Sequence, residues 1–366
     1  MKLIHIVGAR PNFMKVAPVY GSLATYPKVQ QMLVHTGQHY DANMSDIFFQ
    51  QLGMPRPDVN LEVGSGSHAA QTAQVMMRFE EVVLKNRPDI VLVYGDVNST
   101  VAAALVCSKL TIPVAHVEAG LRSYDRTMPE EINRLLTDQI AELLFTPSLD
   151  GNENLAREGI AKEKVHFVGN VMIDTLVRLL AQAKRPELPG VDGKYVLVTL
   201  HRPSNVDDPE KLRPILEALA AIGKKVKVVF PVHPRTRQKL LTPDLRPLTS
   251  DFCLTEPLGY LEFLALQRDA LALITDSGGV QEETTYLGVP CFTLRENTER
   301  PVTITEGTNV LIGRDMDRLL REFDSLHSGN ARKGRVPDLW DGKAGERIAE
   351  ILLKWHGRHG GRSSTT

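Results

Sequence analysis

Short β-branched runs alternate with longer segments of helical periodicity from the first residues onward. No other feature of the chain constrains the fold as much. It is the pattern of βαβ units, in which crossover helices return the chain to lay successive strands in parallel. Strand-like runs in the first half fall at 3–7, 31–35, 90–94 and 113–117, with helical patterns at 14–24, 68–85 and 100–110 between them. A helix is expected over 130–144, starting just after Pro129, a favoured first helical residue. Ile132, Leu136, Ile140 and Leu143 share one of its faces, with Glu130, Arg134 and Asp138 roughly opposite. Glu130 and Arg134 have the spacing of an ordinary i, i+4 pair.

Residues 179–194 change character, with Lys184, Arg185, Pro186, Pro189 and two glycines, and read as a linker. A second alternating series follows, with strand-like runs at 195–200, 226–230, 252–254, 270–275 and 289–294. The expectation is α/β with two Rossmann-like domains, 1–178 and 195–340. A terminal segment, 341–366, carries a last helix at 343–355 that crosses back to the first domain, and its Gly/Ser/Thr tail is frayed from 357. At 366 residues the chain is too long for one ordinary core and comfortable for two.

Composition narrows function mainly by exclusion. A formal net charge of -1 supplies no general attraction to nucleic acid or to an anionic membrane, so any bound anion must be held by a local cluster. No apolar run approaches the roughly 18 residues of a membrane span. The apolar start at 3–7, interrupted by His5 and closed by Gly8 and Arg10, reads as a buried strand and not as a signal peptide. Cys107, Cys253 and Cys291 lie far apart without metal-ligand spacing, which argues against a zinc site and a disulfide framework and for a reducing cytoplasm.

In open parallel sheets ligands collect at the carboxyl edge, where strand ends meet helix N-termini. The residues standing there are heavily polar: Gly8-Ala9-Arg10-Pro11-Asn12, Gly95-Asp96 and Glu118-Ala119-Gly120 in the first half. The second half adds His201-Arg202, Pro231-Val232-His233-Pro234, Asp276-Ser277-Gly278-Gly279 and Arg295 to Arg300. Glycines that follow a strand and open a helix let backbone N–H groups approach a diphosphate, with Glu282 and Glu283 expected in the first helical turn and placed for ribose hydroxyls. Taken alone, that segment serves equally as a tight turn with Ser277 as N-cap. The absence of GxGxxG near Arg10 and Lys15 argues against a nicotinamide dinucleotide. Asp96, Glu118 and Glu130 suit proton abstraction and delivery, because shared burial drives carboxyl pKa values apart. His201 and His233 each end a strand and could face a leaving diphosphate. No metal-ligand cluster is evident.

Together these segments resemble the bacterial and archaeal non-hydrolysing UDP-N-acetylglucosamine 2-epimerases, from residue 2 to about 355. The resemblance rests on those pieces in order and on Lys15, Thr36-Gly37-Gln38-His39, His116-Val117-Glu118-Ala119-Gly120-Leu121-Arg122, Pro129-Glu130-Glu131-Ile132-Asn133-Arg134, Thr298-Glu299-Arg300-Pro301 and Asp341-Gly342-Lys343-Ala344. It implies the glycosyltransferase-B architecture with an active site in the interdomain cleft, a homodimer, no nicotinamide and no required metal. It further implies a UDP-amino sugar as substrate, with UDP eliminated to leave 2-acetamidoglucal and then added back. By residue-by-residue match, Asp96, Glu118, Glu130 and His201 fall on catalytic positions. Arg10, Lys15, Arg134, His233, Ser277, Gly278, Gly279, Glu283 and Arg300 fall on substrate positions.

Two departures bear on substrate and regulation. Many relatives read His-Arg-x-Glu-Asn or His-Arg-Arg-Glu where this chain reads His201-Arg202-Pro203-Ser204-Asn205, so the choice between plain and modified sugars stays open. Asp41 and Ala70 stand where some bacterial members would offer polar or basic contacts to a second, activating substrate molecule. Three rival readings remain at this level: a glycosyltransferase of the same architecture, a hydrolysing epimerase, and a UDP-sugar sensor without turnover.

Overall fold

The structure, a computed structural model, describes residues 1–8, 10–37, 49, 51–330 and 332–359, and the side chains of these except Arg10 and Arg235. Seven strands form the first sheet: β1 (Lys2–Val7), β2 (Gln30–His35), β3 (Val59–Asn60), β4 (Ile90–Tyr94), β5 (Val114–Val117), β6 (Leu143–Thr146) and β7 (Val165–Phe167). Six form the second: β8 (Tyr195–Thr199), β9 (Lys227–Pro231), β10 (Cys253–Thr255), β11 (Ala272–Thr275), β12 (Cys291–Thr293) and β13 (Asn309–Leu311). Their orders are β3-β2-β1-β4-β5-β6-β7 and β10-β9-β8-β11-β12-β13, with parallel pairing throughout. Each order reverses beside the first strand of its sheet, at β1/β4 and at β8/β11. Such a reversal opens a crevice at the carboxyl ends, because the flanking helices leave on opposite faces.

The strand sequences explain the burial. All five residues of β4 are inaccessible, since helices cover both faces of a parallel sheet, and the one polar group among them, the Tyr94 hydroxyl, is met by His5 of β1 at 2.6 Å. Each fully buried Val, Leu or Ile contributes about 1.5–3 kcal/mol. The helix His68–Asn86 buries Val75, Phe79 and Val83 at intervals of four. Ser67 caps it by accepting the Ala70 amide, and Arg87 ends it in the left-handed region.

Two compact units emerge: Met1–Thr175 with Asp338–Thr366, and Leu176–Pro337. The boundary falls inside the helix Val171–Leu180, which occupies the first two positions of the expected linker. The last helix, Ala344–His359, packs on Arg10–Ala24 so closely that a Cβ on Gly345 would stand 2.6 Å from the Pro18 carbonyl oxygen. Trp340 Nε1 donates to the Pro147 carbonyl at 2.9 Å. That helix outlasts the expected end at 355, because His356, Arg358 and His359 suit a helix C-terminus and the His359 ring donates to the Trp355 carbonyl.

The largest correction concerns 130–144. The helix there is Pro129–Ile140, after which Ala141 turns extended and the chain becomes β6. Leu143 continued the helical spacing, but Leu143-Leu144-Phe145 is a short apolar run that pairs with β5. The polar face of this helix is also the buried one. Glu131, Asn133, Arg134, Thr137 and Asp138 are enclosed, while Leu136 is 46% exposed. Among the described residues no helix is long and apolar enough to cross a membrane.

Asp174 accepts the Ala344 and Gly345 amides at 3.1 and 2.7 Å, tying the last helix to the body of its unit. Burial pushes its carboxyl up to about 6, and the two amides offset this only in part. A raised folded value means that the native state binds the proton more tightly than the unfolded chain does. The resulting stabilisation is complete below the unfolded value and is lost as pH rises through the folded one. Asp174→Asn removes this dependence. The unfolding free-energy difference between wild type and variant, from urea titrations, should therefore shrink by about 2–3 kcal/mol between about pH 4 and pH 7. A difference independent of pH would refute it.

Candidate active site

At the carboxyl edge of the first sheet, Asn12 ties two chain segments together. Its Oδ1 accepts the Gly8 amide at 3.2 Å, and its Nδ2 donates to the Tyr94 carbonyl at 2.9 Å. The start of helix Arg10–Ala24 is thus anchored to the end of β4. One turn later Lys15, buried, forms an ion pair with Glu118.

Glu118 follows β5 with a φ of 72°, in the left-handed region that costs a residue with a Cβ roughly 1–3 kcal/mol. The Phe145 carbonyl holds it there by accepting both the Glu118 and Ala119 amides, at 3.1 and 3.0 Å. Gly95 meets this pair from β4. Its φ is 64°, and a Cβ would lie 2.6 Å from Lys15 Nζ and 3.0 Å from Glu118 Oε2. Only glycine satisfies both conditions.

Asp96 comes next and pairs with Arg134 Nη1 at 2.5 Å. Arg134 is buried and also binds Glu131 through Nε and Nη2, at 3.0 and 2.6 Å. Glu131 further accepts the Ser123 amide and hydroxyl and the Tyr124 amide. Burial alone would raise its carboxyl; the Ser123 amide and Arg134 outweigh burial and hold it below the usual range. Arg134 therefore pairs with Glu131 and Asp96, and the expected bond to Glu130 does not form. Glu130 stands half-buried in the first turn of Pro129–Ile140, where the helix dipole favours an anion, and makes no hydrogen bond or ion pair among the described residues. Of the expected residues around this edge, Ala9, Gln38, His39 and Asp41 lie outside the described residues, as does the Arg10 side chain.

The second sheet presents a different chemistry. Asp276, after β11, is wholly buried and accepts the His201 and Arg202 amides and Asn205 Nδ2, all within 3.3 Å. His201 Nδ1 stands 3.1 Å from Asp276 Oδ1, with the ring mostly exposed. Burial raises the Asp276 carboxyl, but His201, the Arg202 amide and Asn205 bring it below its usual range. Asp276 is thus the organiser of the β8 loop, leaving Nε2 as the outward nitrogen of His201.

The helix Gly278–Leu287 begins beside it. Ser277 occupies the N-cap position without a capping side-chain bond, contrary to the simple turn reading, so its hydroxyl is not used by the helix. Glu282 and Glu283 fall in the second turn, one turn later than expected. Glu283 is enclosed, accepting the Tyr260 hydroxyl at 2.9 Å and Gln267 Nε2 at 2.6 Å, and burial raises its carboxyl. A Cβ on Gly278 would meet Arg300 Nη1 at 2.8 Å. Arg300 is itself ion-paired with Glu299 and with Glu282, the latter at 2.9 Å, and Arg295 holds Glu299 from the other side at 2.7 Å. Burial opposes the charge on Glu299, yet Arg300 and Arg295 hold its carboxyl far below the usual range. The Gly278 and Gly279 amides thus open a helix over a rigid buried charge cluster, an arrangement suited to a phosphate anion. His233 stands exposed just before the helix Pro234–Leu240. Among the described residues no group of three or more His, Cys, Asp or Glu could hold a metal ion.

The family model described as UDP-N-acetylglucosamine 2-epimerase matches residues 22–353. The chain belongs to the UDP-N-acetylglucosamine 2-epimerase family. The epimerase of that name from Methanocaldococcus jannaschii is 44% identical over 364 residues, spanning 96% of this chain and 99% of its own. The UDP-2,3-diacetamido-2,3-dideoxy-D-glucuronate 2-epimerase of Pseudomonas aeruginosa is 45% identical over 360 residues, spanning 97% and 100%. The crystal structure of the Methanocaldococcus jannaschii epimerase in complex with UDP-GlcNAc and UDP matches with a TM-score of 0.87 at 43% identity, over 97% of this chain and 100% of that one.

Within this epimerase-family frame, sequence reasoning passed over the residues that hold the others in place. Asn12, Glu131, Asp138 and Asp276 each fix a residue expected to act or the turn that carries one. Glu131, Arg134 and Asp138 recur at helical spacing, a polar stripe that by pattern alone reads as solvent-facing, so only their partners from other segments reveal its burial. Breaking a buried ion pair from one side is costly, because the remaining charge loses its compensation. Lys15→Met and Glu118→Gln should each destabilise the protein by about 3–5 kcal/mol. The double variant should lose clearly less than their sum, as read from urea unfolding; additive losses would show that the pair is not coupled.

Proposed function

We propose that the protein interconverts UDP-N-acetylglucosamine and UDP-N-acetylmannosamine by eliminating UDP and adding it back. One observation carries the reading: a single sheet edge collects Asp96, Glu118 and Glu130, the last without a side-chain partner among the described residues, beside the cations Lys15 and Arg134. Such a set can move a proton at carbon. The C2–H bond of a ring sugar has no adjacent carbonyl to acidify it, so proton transfer needs help from C1. As the C1–O bond to UDP breaks, positive charge grows at C1. The C2 proton passes to a carboxylate, and the C–H electrons become the C1=C2 bond of 2-acetamidoglucal. Return of the proton to the opposite face, with attack of the diphosphate oxygen on C1, gives the epimer.

The leaving diphosphate is the business of the other constellation. The Gly278 and Gly279 amides, the Ser277 hydroxyl, Arg300 and the His201 imidazole stabilise the negative charge that develops on UDP. Glu283 and His233 complete the nucleotide set, Glu283 as a fixed acceptor aligned by Tyr260 and Gln267.

A second reading is favoured by Ser204. It is exposed and uncharged in the short helix Pro203–Val206, which Asp276 holds through Asn205, at the place where many relatives carry an acid. A site without that carboxylate would not repel a sugar acid, and the relative named for a diacetamido-glucuronate is as similar to this chain as the one named for the plain sugar.

Incubation with UDP-N-acetylglucosamine in deuterium oxide should yield C2-deuterated sugar and manno product by NMR; unlabelled substrate alone would remove the epimerase reading. A parallel incubation with the diacetamido-glucuronate donor decides between the plain and modified substrates. Asp96→Asn and Glu130→Gln should each lower kcat about 10²- to 10⁴-fold while calorimetry still detects UDP binding. Near-normal turnover in either would refute that residue's role in proton transfer.

A further inference from the structure

His116, on β5 two residues before Glu118, is wholly buried, and both of its ring nitrogens face oxygen. Nε2 lies 2.8 Å from the Gly95 carbonyl and Nδ1 lies 2.6 Å from Asp138 Oδ1. A carbonyl oxygen can only accept, so Nε2 carries a hydrogen. The second nitrogen depends on Asp138. Its other oxygen forms an ion pair with Arg122 Nη2 at 2.7 Å and accepts the Gly120 amide at 3.1 Å, partners that favour the ionised carboxylate. An ionised carboxylate also only accepts, so Nδ1 carries a hydrogen as well.

Charge balance agrees. Arg122 makes two further bonds to Glu158, at 2.7 and 2.6 Å. With a charged His116 the cluster holds two cations, His116 and Arg122, and two anions, Asp138 and Glu158. A neutral ring would leave an excess negative charge in a largely enclosed site, which is strongly unfavourable. Burial alone would raise the Asp138 carboxyl, but His116 and Arg122 outweigh it and hold the group below its usual range.

We infer that His116 is a buried imidazolium, clamped by Asp138, that positions the Gly95-Asp96 turn through its bond to the Gly95 carbonyl. The peptide at Gly95 is then gripped from both sides by β5, since the Gly95 amide donates to the Val117 carbonyl at 3.0 Å. On its Cα side Gly95 abuts Lys15 and Glu118. Movement of this turn displaces Asp96 relative to Glu118, the two strand-end acids of the reaction proposed above, and the catalytic consequence rests on that reading. His116 is a positioning residue, because it acts through Gly95.

The test uses full-length protein labelled with ¹⁵N-histidine at neutral pH, with the ring assigned by its absence from His116→Gln. Both nitrogens of His116 should show the shifts of protonated imidazole and slowly exchanging N–H protons. A singly protonated ring overturns the inference whatever the activity. Asp138→Asn should convert the ring to its neutral form and lower kcat about 10²-fold with KM unchanged, as expected of a small displacement of reacting groups. A kcat equal to wild type overturns the positioning role. Where Asp138→Asn fails to fold, the wild-type spectrum still decides the protonation state, and Asp138→Glu, which keeps the carboxylate, should retain the doubly protonated ring. Absence of any C2 exchange in the wild type would defeat the proposed function and leave the spectrum to decide the charge of His116.

Discussion

The ion pair between Lys15 and Glu118 can exist only because the chain around it is held to a narrow geometry. Two charges removed from water are tolerated when they face each other and their remaining bonding capacity is met, and otherwise the site rearranges or fills with water. Here the lysine is aimed by Asn12, which ties the first helix to the end of β4. The glutamate is aimed by a left-handed backbone that the Phe145 carbonyl secures. Gly95 lies against both, and any side chain there would enter the pair. Three strands and a helix are thereby fixed relative to one another at the edge where the acids stand.

The second unit meets the same requirement by another route. Its buried charges form a closed cluster of Arg295, Glu299, Arg300 and Glu282 under the start of a helix, and a second organiser, Asp276, gathers the loop after β8. In both units a buried carboxylate orders main-chain amides, which in turn present the groups suited to a ligand. Solvent-facing groups such as His201 and Glu130 depend on neighbours that are themselves inaccessible. Arg300 combines both tasks, since its guanidinium abuts the Gly278 backbone and is part of the cluster beneath it.

Much of this was legible in the sequence. The alternation of strand and helix patterns, the two open sheets and the polar residues after each strand are local properties, set by side-chain periodicity over a few positions. The family membership follows from motifs whose order and spacing a single sequence displays. What misled was the rule that a helix turns its polar face to water. In Pro129–Ile140 the partners that make a polar interior acceptable lie far off in the chain: Arg134 finds Asp96 at a separation of 38 residues, and Asp138 finds His116 at 22. The strand β6 was masked for a related reason. Its first leucine fell in register with the helix before it, and only pairing with β5 distinguishes the two conformations.

The sequence by itself determined the βαβ plan, the carboxyl edges and the residue types gathered there, because each depends on short-range pattern and chain connectivity. Tertiary structure alone decided which charged groups pair and which remain available. Glu130 and Glu131 are adjacent and chemically alike, yet Glu131 is enclosed by Arg134, Ser123 and Tyr124, while the Glu130 carboxylate has no partner among the described residues. The difference is a rotation of one residue about a helix axis, toward or away from groups brought in from distant strands, and no local pattern encodes which way it falls.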